Sequence, residues 1–314
     1  MTHMQRALLL AERGRGTTHP NPLVGAVVVD DGGEVVGEGW HQRAGEPHAE
    51  VHALRAAGER ARGATLYVTL EPCSHYGRTP PCVDAILEAG VTHVVVGTRD
   101  ANPLAKGGIE RLRASGIDVE VLAAREARAQ NAGYFSAHER GRPWVLHKIA
   151  LTLDARVSVP DARWITGEES RRLVHELRAW VDAVAVGMGT VRTDAPRLDA
   201  RGVNAARQPR RLAFGRGPLP EGSELELRTG ELADELRTLA AEGVQTLLLE
   251  GGPTLAASFF AADLVDELHV YVARRLGGSG PSWLDALPEE LPLTSLAVRW
   301  VGEDLLLRAY VHEP

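Results

Sequence analysis

The sequence predicts an α/β protein of two domains, and three observations carry that expectation. Short apolar runs of strand length alternate with helix-patterned segments along nearly the whole chain. A polar stretch, His138-Glu139-Arg140-Gly141-Arg142-Pro143, interrupts the alternation with Gly and Pro. The 314 residues, 44% of them hydrophobic, suffice for two cores of ordinary size. The expected domains are residues 1–142 and 143–314.

In the first half, Met4 to Arg13 reads as a short amphipathic helix with Ala7, Leu8 and Ala11 inward. The loop Thr17-Thr18-His19-Pro20-Asn21-Pro22 is stiffened by its prolines. Val24 to Val29 and Glu34 to Trp40 read as a hairpin about Asp31-Gly32-Gly33. Asn21 just before it serves either as a turn cap or as a substrate contact. A helix is expected from Ala49 to Gly58, a strand from Ala64 to Thr69, a helix from Val83 to Ala89 and a strand from Val91 to Gly97. A helix from Gly107 to Ser115, a strand from Val119 to Leu122 and a closing helix from Glu126 to Phe135 complete the half.

The second half restarts with a strand, Trp144 to Leu151, and a helix, Glu168 to Trp180. Ala183 to Val186 is a strand leading into Gly187-Met188-Gly189-Thr190, and Arg211 to Phe214 is a short apolar segment. Helix Leu232 to Ala241 and strand Val244 to Leu249 lead into Glu250-Gly251-Gly252-Pro253-Thr254, which opens a helix to Phe260. Leu264 to Val272, Ser295 to Val301 and Leu305 to Val311 are the remaining strands. A strand ending in Gly-Gly before a helix can cradle a phosphate, though a tight turn explains the same residues. No Gly-x-Gly-x-x-Gly follows a strand at the usual spacing, which argues against a standard dinucleotide fold.

Formal charge is 35 minus 42, or −7, with no basic tail, so nucleic acid is not an expected partner. No segment approaches membrane-spanning length and no apolar signal segment opens the chain, so a soluble, cytoplasmic protein is expected.

Both cysteines fall between Pro47 and Cys82, among Pro, His and Glu, a context that suits a metal site better than a disulfide. His48, Cys73 and Cys82 offer one imidazole and two thiolates, a set that suits one Zn²⁺ and leaves its fourth tetrahedral position for water. Glu50, two residues beyond His48, is the candidate catalytic proton carrier, as in zinc-dependent base deaminases. The general signature separates its cysteines by two residues, whereas eight lie between Cys73 and Cys82. The loop Ser74 to Pro81 must therefore return to the metal, and Arg78 is placed to face an anionic group. A structural zinc would need four protein ligands, and this chain offers only two Cys. His19, His41, His52 and His75 are further imidazoles nearby, with His75 read as a substrate or structural contact.

These motifs resemble the bifunctional riboflavin-biosynthesis deaminase-reductase family. The resemblance rests on Thr17 to Gly25, Gly45-Glu46-Pro47-His48-Ala49-Glu50 and Glu71-Pro72-Cys73-Ser74-His75 through Cys82. It continues into Lys148 to Arg156, Trp164-Ile165-Thr166, Arg178, Thr190, Asp194 and Glu250 to Thr254, and the long cysteine spacing is part of the family pattern. The resemblance implies a cytidine-deaminase-like three-layer domain followed by a dihydrofolate-reductase-like α/β domain. It implies deamination of 2,5-diamino-6-(5-phosphoribosylamino)pyrimidin-4(3H)-one, then NADPH-dependent reduction of the product's ribosyl unit, by a homodimer. Matching positions imply that NADPH meets Ala150, Trp164, Thr190, Asp194 and the stretch Gly252, Pro253, Thr254, Leu255, Ala256, Ala257 and Ser258. Arg178, Leu198, Arg201 and Glu250 are the implied substrate contacts, the arginines being suited to phosphate. Departures lie in the second half: Ala155 and Ala195 follow Asp where the family has Gly and Asp, Ala162 replaces a common Ser, and the Arg207 to Gly230 region is short. A deaminase with a silent second domain and a deaminase of nucleosides or nucleic-acid bases are the competing readings.

Overall fold

A computed structural model describes the whole chain apart from Arg78, Asp161, Asp285, Ala286, Pro288 and Glu289. The chain divides into two compact units, Met1–Glu139 and Arg140–Glu313.

The first unit runs α1 (His3–Ala11), β1 (Gly25–Val29), β2 (Val35–Trp40), α2 (Ala49–Ala57), β3 (Thr65–Leu70), α3 (Cys82–Ala89), β4 (His93–Thr98), α4 (Gly108–Ala114), β5 (Asp118–Val121), α5 (Arg125–Gln130) and α6 (Ala132–Glu139). Its sheet has the order β2-β1-β3-β4-β5, with β1 antiparallel to both neighbours and β3, β4 and β5 parallel. Alternation along the strands sorts the core onto two faces. Ala26, Val28, Leu66, Val68, Val94 and Val96 pack under α2, α3 and α4. Val27, Val29 and Val95 meet Met4, Ala7 and Leu10 of α1 on the other face, giving three layers. The inward side of α1 is thus Met4, Ala7, Leu10 and Ala11, and Leu8 is only half-buried, a correction of the expected stripe.

Glycine sets the depth of α2. A Cβ on Gly37 would lie 2.1 Å from the Ala53 carbonyl oxygen, and one on Gly39 would lie 2.4 Å from that of Ala49. Any side chain at either position would lift the helix off β2. The single closing helix expected from Glu126 to Phe135 is instead two, because Asn131 leaves helical geometry to serve Leu23. Its side chain accepts from the Leu23 N–H at 2.7 Å and donates to the Leu23 carbonyl at 2.9 Å.

The second unit runs β6 (Trp144–Thr152), α7 (Glu168–Trp180), β7 (Ala183–Gly187), α8 (Met188–Asp194), β8 (Arg210–Phe214), β9 (Glu226–Arg228), α9 (Leu232–Ala241), β10 (Thr246–Leu249), α10 (Pro253–Ala261), β11 (Glu267–Ala273), β12 (Thr294–Val301) and β13 (Asp304–Tyr310). The sheet order is β12-β13-β11-β6-β10-β7-β8-β9, parallel from β11 to β9 and antiparallel at β13 and β12. One face packs Val145, Ala185, Leu212, Leu247 and Leu249 against α9 and α10. The other packs Leu146, Val184, Val186 and Leu248 with Leu177 and Trp180 of α7, and Tyr271 and Leu306 with Val174.

Helix α7 begins at Gly167, which has no capping side chain. Asp304 supplies the cap from β13, accepting from the Gly167 N–H at 2.8 Å and the Ser170 hydroxyl at 2.6 Å. Helix α8 and strand β9 lie where sequence patterning gave no element. The expected strand at Leu264 begins only at Glu267, because Leu264 and Val265 turn into the core just after Asp263, whose φ is +57°.

Candidate active sites

In the first unit, two helix starts and the end of β3 deliver the candidate metal ligands. His48 is the N-cap of α2 yet makes no side-chain capping bond. Position and chemistry conflict here, because Ser, Thr, Asp or Asn would stabilise the helix more. The ring turns instead toward sulfur: Nδ1 lies 3.1 Å from Cys82 Sγ and 3.5 Å from Cys73 Sγ. One ligand atom from each of the three residues falls within 4.8 Å of the others.

Cys82 is the first residue of α3, and its backbone N–H donates to Cys73 Sγ at 3.3 Å. Hydrogen bonding from Cys82 and His48 draws the Cys73 thiol down to about 4, whereas Cys82 is pushed up by the same contact and by burial. The pair is poised to hold negative charge at Cys73 first. The His48 imidazole is raised, chiefly by its bond to Cys73. Two thiols and an imidazole converging on one point fit a zinc ion.

Glu50, in the first turn of α2, is buried, and its Oε2 has no hydrogen-bond partner among the described residues. Burial raises its pKa. A buried, unsatisfied carboxylate oxygen beside a metal-type cluster is expensive unless something else engages it. Asn21 also reaches this site: its Nδ2 lies 3.1 Å from His41 Nε2, and His41 Nδ1 lies 3.3 Å from the Pro47 carbonyl. His41 stands edge-on to His48 at 5.1 Å and is held neutral, its pKa lowered to about 4 by burial and by His48. His75 is exposed, and Nε2 of His52 is buried without a partner among the described residues. Arg78, expected to face an anionic group, lies outside the described residues.

The Cys73 loop is anchored from behind by Glu71, which sequence reading gave no role. Its buried carboxylate accepts from the backbone N–H groups of Asp100, Gly107 and Ile109 at 3.0 to 3.3 Å, closing the start of α4 against the end of β3. Gly108 completes the fit, since a Cβ there would lie 1.8 Å from the Pro72 carbonyl oxygen.

In the second unit, Arg178 of α7 holds Glu250 at the end of β10 through two bonds of 2.6 and 2.9 Å, and both side chains are largely buried. Although burial pushes the Glu250 carboxyl up, Arg178 overrides it and holds the group below the usual carboxylate range. The second Arg178 arm reaches the Asp199 carbonyl at 3.3 Å, and the Asp199 carboxylate accepts from Arg201 at 2.5 Å. Leu198, beside them, is buried with φ +54°, a conformation unfavourable for a branched side chain. Arg178, Leu198, Arg201 and Glu250 therefore share one neighbourhood. Lys148 joins it from β6, its pKa lowered by burial and opposed by Glu250. The period of two, which puts residues 148 and 150 on one face of β6, was the signal that could have singled it out.

Of the residues expected at the cofactor, Ala150, Thr190 and Gly252 lie near the carboxyl ends of the adjacent parallel strands β6, β7 and β10. Ala150 is on β6, and Gly252 caps α10 with Pro253 in its first turn. Thr190 of α8 approaches Gly252, where a Cβ would lie 3.7 Å from its Oγ1, and Leu255 packs against Gly187 and Gly251. Asp194 ends α8, exposed. Thr254 is exposed, Ala256 is buried in the core, Ala257 is half-buried, and the Ser258 hydroxyl bonds back to the Thr254 carbonyl at 3.0 Å. Trp164 is half exposed, with the guanidinium groups of Arg163 and Arg171 over its ring at 5.2 and 5.3 Å.

Comparison with known proteins assigns each unit a class. Residues 1–98 match the cytidine and deoxycytidylate deaminase zinc-binding region, and residues 143–307 match the RibD C-terminal domain. The fold and the two sites thus define a chain that joins a deaminase-like domain to a dihydrofolate-reductase-like domain. The riboflavin biosynthesis proteins RibD of Aquifex aeolicus and Escherichia coli are 40% and 41% identical to it, each match covering 97% of this chain and 96% and 97% of theirs. The structure of Acinetobacter baumannii RibD is similar at a TM-score of 0.89 and 37% identity, covering 98% of this chain and 97% of that one. A Thermotoga maritima diaminohydroxyphosphoribosylaminopyrimidine deaminase/5-amino-6-(5-phosphoribosylamino)uracil reductase gives 0.86 and 33% over the same shares. The chain belongs to the RibD family.

Proposed function

We infer that the chain catalyses two successive steps of riboflavin biosynthesis. It is a bifunctional deaminase and reductase acting on intermediates of that pathway. The proposed substrate of the first unit is 2,5-diamino-6-(5-phosphoribosylamino)pyrimidin-4(3H)-one, and that of the second is 5-amino-6-(5-phosphoribosylamino)uracil. The observation that carries the first step is the convergence of His48, Cys73 and Cys82 beside the unpartnered buried oxygen of Glu50.

His48, Cys73 and Cys82 would hold zinc, which supplies Lewis acidity and lowers the pKa of a water. Glu50 makes two transfers on its free oxygen: it takes one proton from the attacking water and gives it to the ring nitrogen, then takes the second from the resulting hydroxyl and gives it to the departing amine, which leaves as ammonia. Burial raises the pKa of Glu50, which makes it a better proton acceptor in each transfer while leaving the carboxyl acidic enough to give the proton up again. Asn21 and His41 orient the pyrimidine edge, and Arg78 contacts the substrate from the intervening loop.

In the second unit, NADPH supplies the reducing equivalent. Ala150, Trp164, Thr190, Asp194 and the stretch from Gly252 to Ser258 form its proposed bed, with the exception of Ala256, whose side chain is packed in the core and is not available to a ligand. Arg178, Leu198, Arg201 and Glu250 position the phosphoribosyl group, and Lys148 places a positive charge next to Glu250. The family relationship favours a homodimer, and β12 supports that reading. It is the edge strand and exposes Leu296, Val298 and Trp300 in one row.

The test supplies the diaminopyrimidine ribotide with and without NADPH to wild-type protein and to Glu50→Gln. Wild-type protein should release ammonia in both cases and oxidise NADPH only after deamination. The variant should keep its zinc and lose ammonia release by about 10²- to 10⁴-fold. Full ammonia release by the variant would remove Glu50 from the chemistry, and deamination without NADPH oxidation would leave the second unit silent.

A further inference from the structure

We propose that Arg192 and Arg216 form the subsite that recognises the 2′-phosphate of the cofactor, and so set a preference for NADPH over NADH. The proposal rests on the cofactor reading above and assigns it a specificity determinant.

Three glycine-containing junctions lie at the carboxyl ends of three neighbouring parallel strands: Glu250-Gly251-Gly252 after β10, Gly187-Met188-Gly189 where β7 passes into α8, and Gly215-Arg216-Gly217 after β8. Ligands of open parallel sheets bind outside this edge. From Ala150 on β6 across β10 and β7 to β8 is three strand spacings, roughly 14 Å. A dinucleotide laid along the edge with its nicotinamide near Ala150 and Glu250 therefore meets Gly252 and Thr190 in its middle. Its adenosine end reaches the Gly215-Arg216-Gly217 turn.

That turn is built around a cation. Gly215 and Gly217 have φ of +134° and +101°, which a side chain would strain. Arg192 Nη2 donates to the Arg216 carbonyl at 2.8 Å, and a Cβ on Gly217 would sit 2.9 Å from the same nitrogen. The absence of a side chain at Gly217 thus makes room for the Arg192 guanidinium against the turn. Both arginines are exposed.

Neither has a carboxylate partner among the described residues, in contrast to their neighbours. Arg197 and Arg201 pair with Asp199, Arg210 with Glu226 and Glu242, and Arg211 with Glu224, and of these only Arg201 belongs to the proposed substrate contacts. Two unneutralised guanidiniums, one fixed on the backbone of the other, suit a dianionic phosphate monoester. A free ribose hydroxyl gives them no such gain.

The test measures Kd for NADPH and NADH by quenching of protein fluorescence, and Kd for 2′,5′-ADP and 5′-ADP by calorimetry. Wild-type protein is compared with Arg192→Ala, Arg216→Ala and the double variant, and melting temperatures check the fold. Wild-type protein should bind NADPH and 2′,5′-ADP more tightly. Each single substitution should weaken both by roughly 10- to 100-fold and leave NADH and 5′-ADP within about twofold. Raising salt should erode the NADPH preference in wild-type protein and not in the double variant. Equal loss for both dinucleotides, or no loss for either, would overturn the assignment while leaving the cofactor site intact. Wild-type protein that binds neither dinucleotide would overturn the cofactor reading and the assignment together.

Discussion

His147 offers a direct check on the second unit. It is fully buried on β6, its Nδ1 lies 3.0 Å from the Leu249 carbonyl oxygen, and its Nε2 accepts from the Trp283 indole at 3.1 Å. The ring stacks on Trp283 and meets the edge of Phe260. With a carbonyl on one nitrogen and a donor on the other, only the neutral Nδ1-protonated form satisfies both, and burial lowers the pKa to about 4. An unfolded imidazole titrates near 6.5, so below that pH the unfolded chain takes up a proton that the folded one refuses. The stability present above pH 6.5 is therefore lost as pH falls toward 4. Linkage gives a loss of roughly 2–3 kcal/mol between pH 7 and 4.5 from this residue alone.

Urea unfolding of wild-type protein and His147→Gln at the two pH values isolates that part. The variant should start about 1–3 kcal/mol lower at pH 7 through lost contacts. At pH 4.5 the difference should have moved by roughly 2–3 kcal/mol in the variant's favour. Parallel curves, or an imidazole resonance titrating with a midpoint near 6.5, would refute the reasoning.

Three further outcomes follow from the packing. Gly39→Ala forces a Cβ to within 2.4 Å of the Ala49 carbonyl oxygen, so it should cost about 1–3 kcal/mol and lower zinc content and ammonia release together; an unaltered zinc-to-protein ratio would show that α2 has slack. Glu71→Gln should cost about 1.5–3 kcal/mol, speed amide exchange at Gly107 and Ile109, and weaken metal retention, and unchanged exchange would count against the anchoring role. Ala155, at φ +59°, pays for a left-handed backbone, so Ala155→Gly should raise the urea midpoint by the equivalent of about 1 kcal/mol; a fall would mean that the alanine methyl contributes packing.

The zinc-type site was legible because its chemistry is concentrated. Two cysteines in the whole sequence, with a histidine and a glutamate two residues apart, leave few arrangements for a thiolate cluster. What makes the arrangement possible was not legible. Gly37 and Gly39 act by having no side chain, and Glu71 acts through backbone amides 29 to 38 residues away. The placement of most strands and helices along the chain followed from apolar periodicity, but α8 did not, since Gly187-Met188-Gly189-Thr190 has turn composition and becomes helical only against β7 and β8. The break at Asn131 was hidden for a similar reason: locally it continues a helix, and only its bonds to Leu23 explain the interruption. Lys148 sat in plain view on an apolar strand, and its significance came from Glu250, more than 100 residues away, just past the end of the neighbouring strand.

The Leu23–Asn131 clamp has a consequence for synthesis. It spans 108 residues, and it holds the loop that carries Asn21 toward His41 and His48. At a ribosomal rate of roughly 5–20 residues per second, that loop waits on the order of 5–20 s for its anchor to emerge. A chain shortened to its first 98 residues would hold all three thiolate and imidazole donors and Glu50, yet leave the buried N–H and carbonyl of Leu23 without their partner. Such a nascent chain could gather metal before it could shape a pyrimidine pocket, so in this unit metal capture can precede substrate recognition on the ribosome.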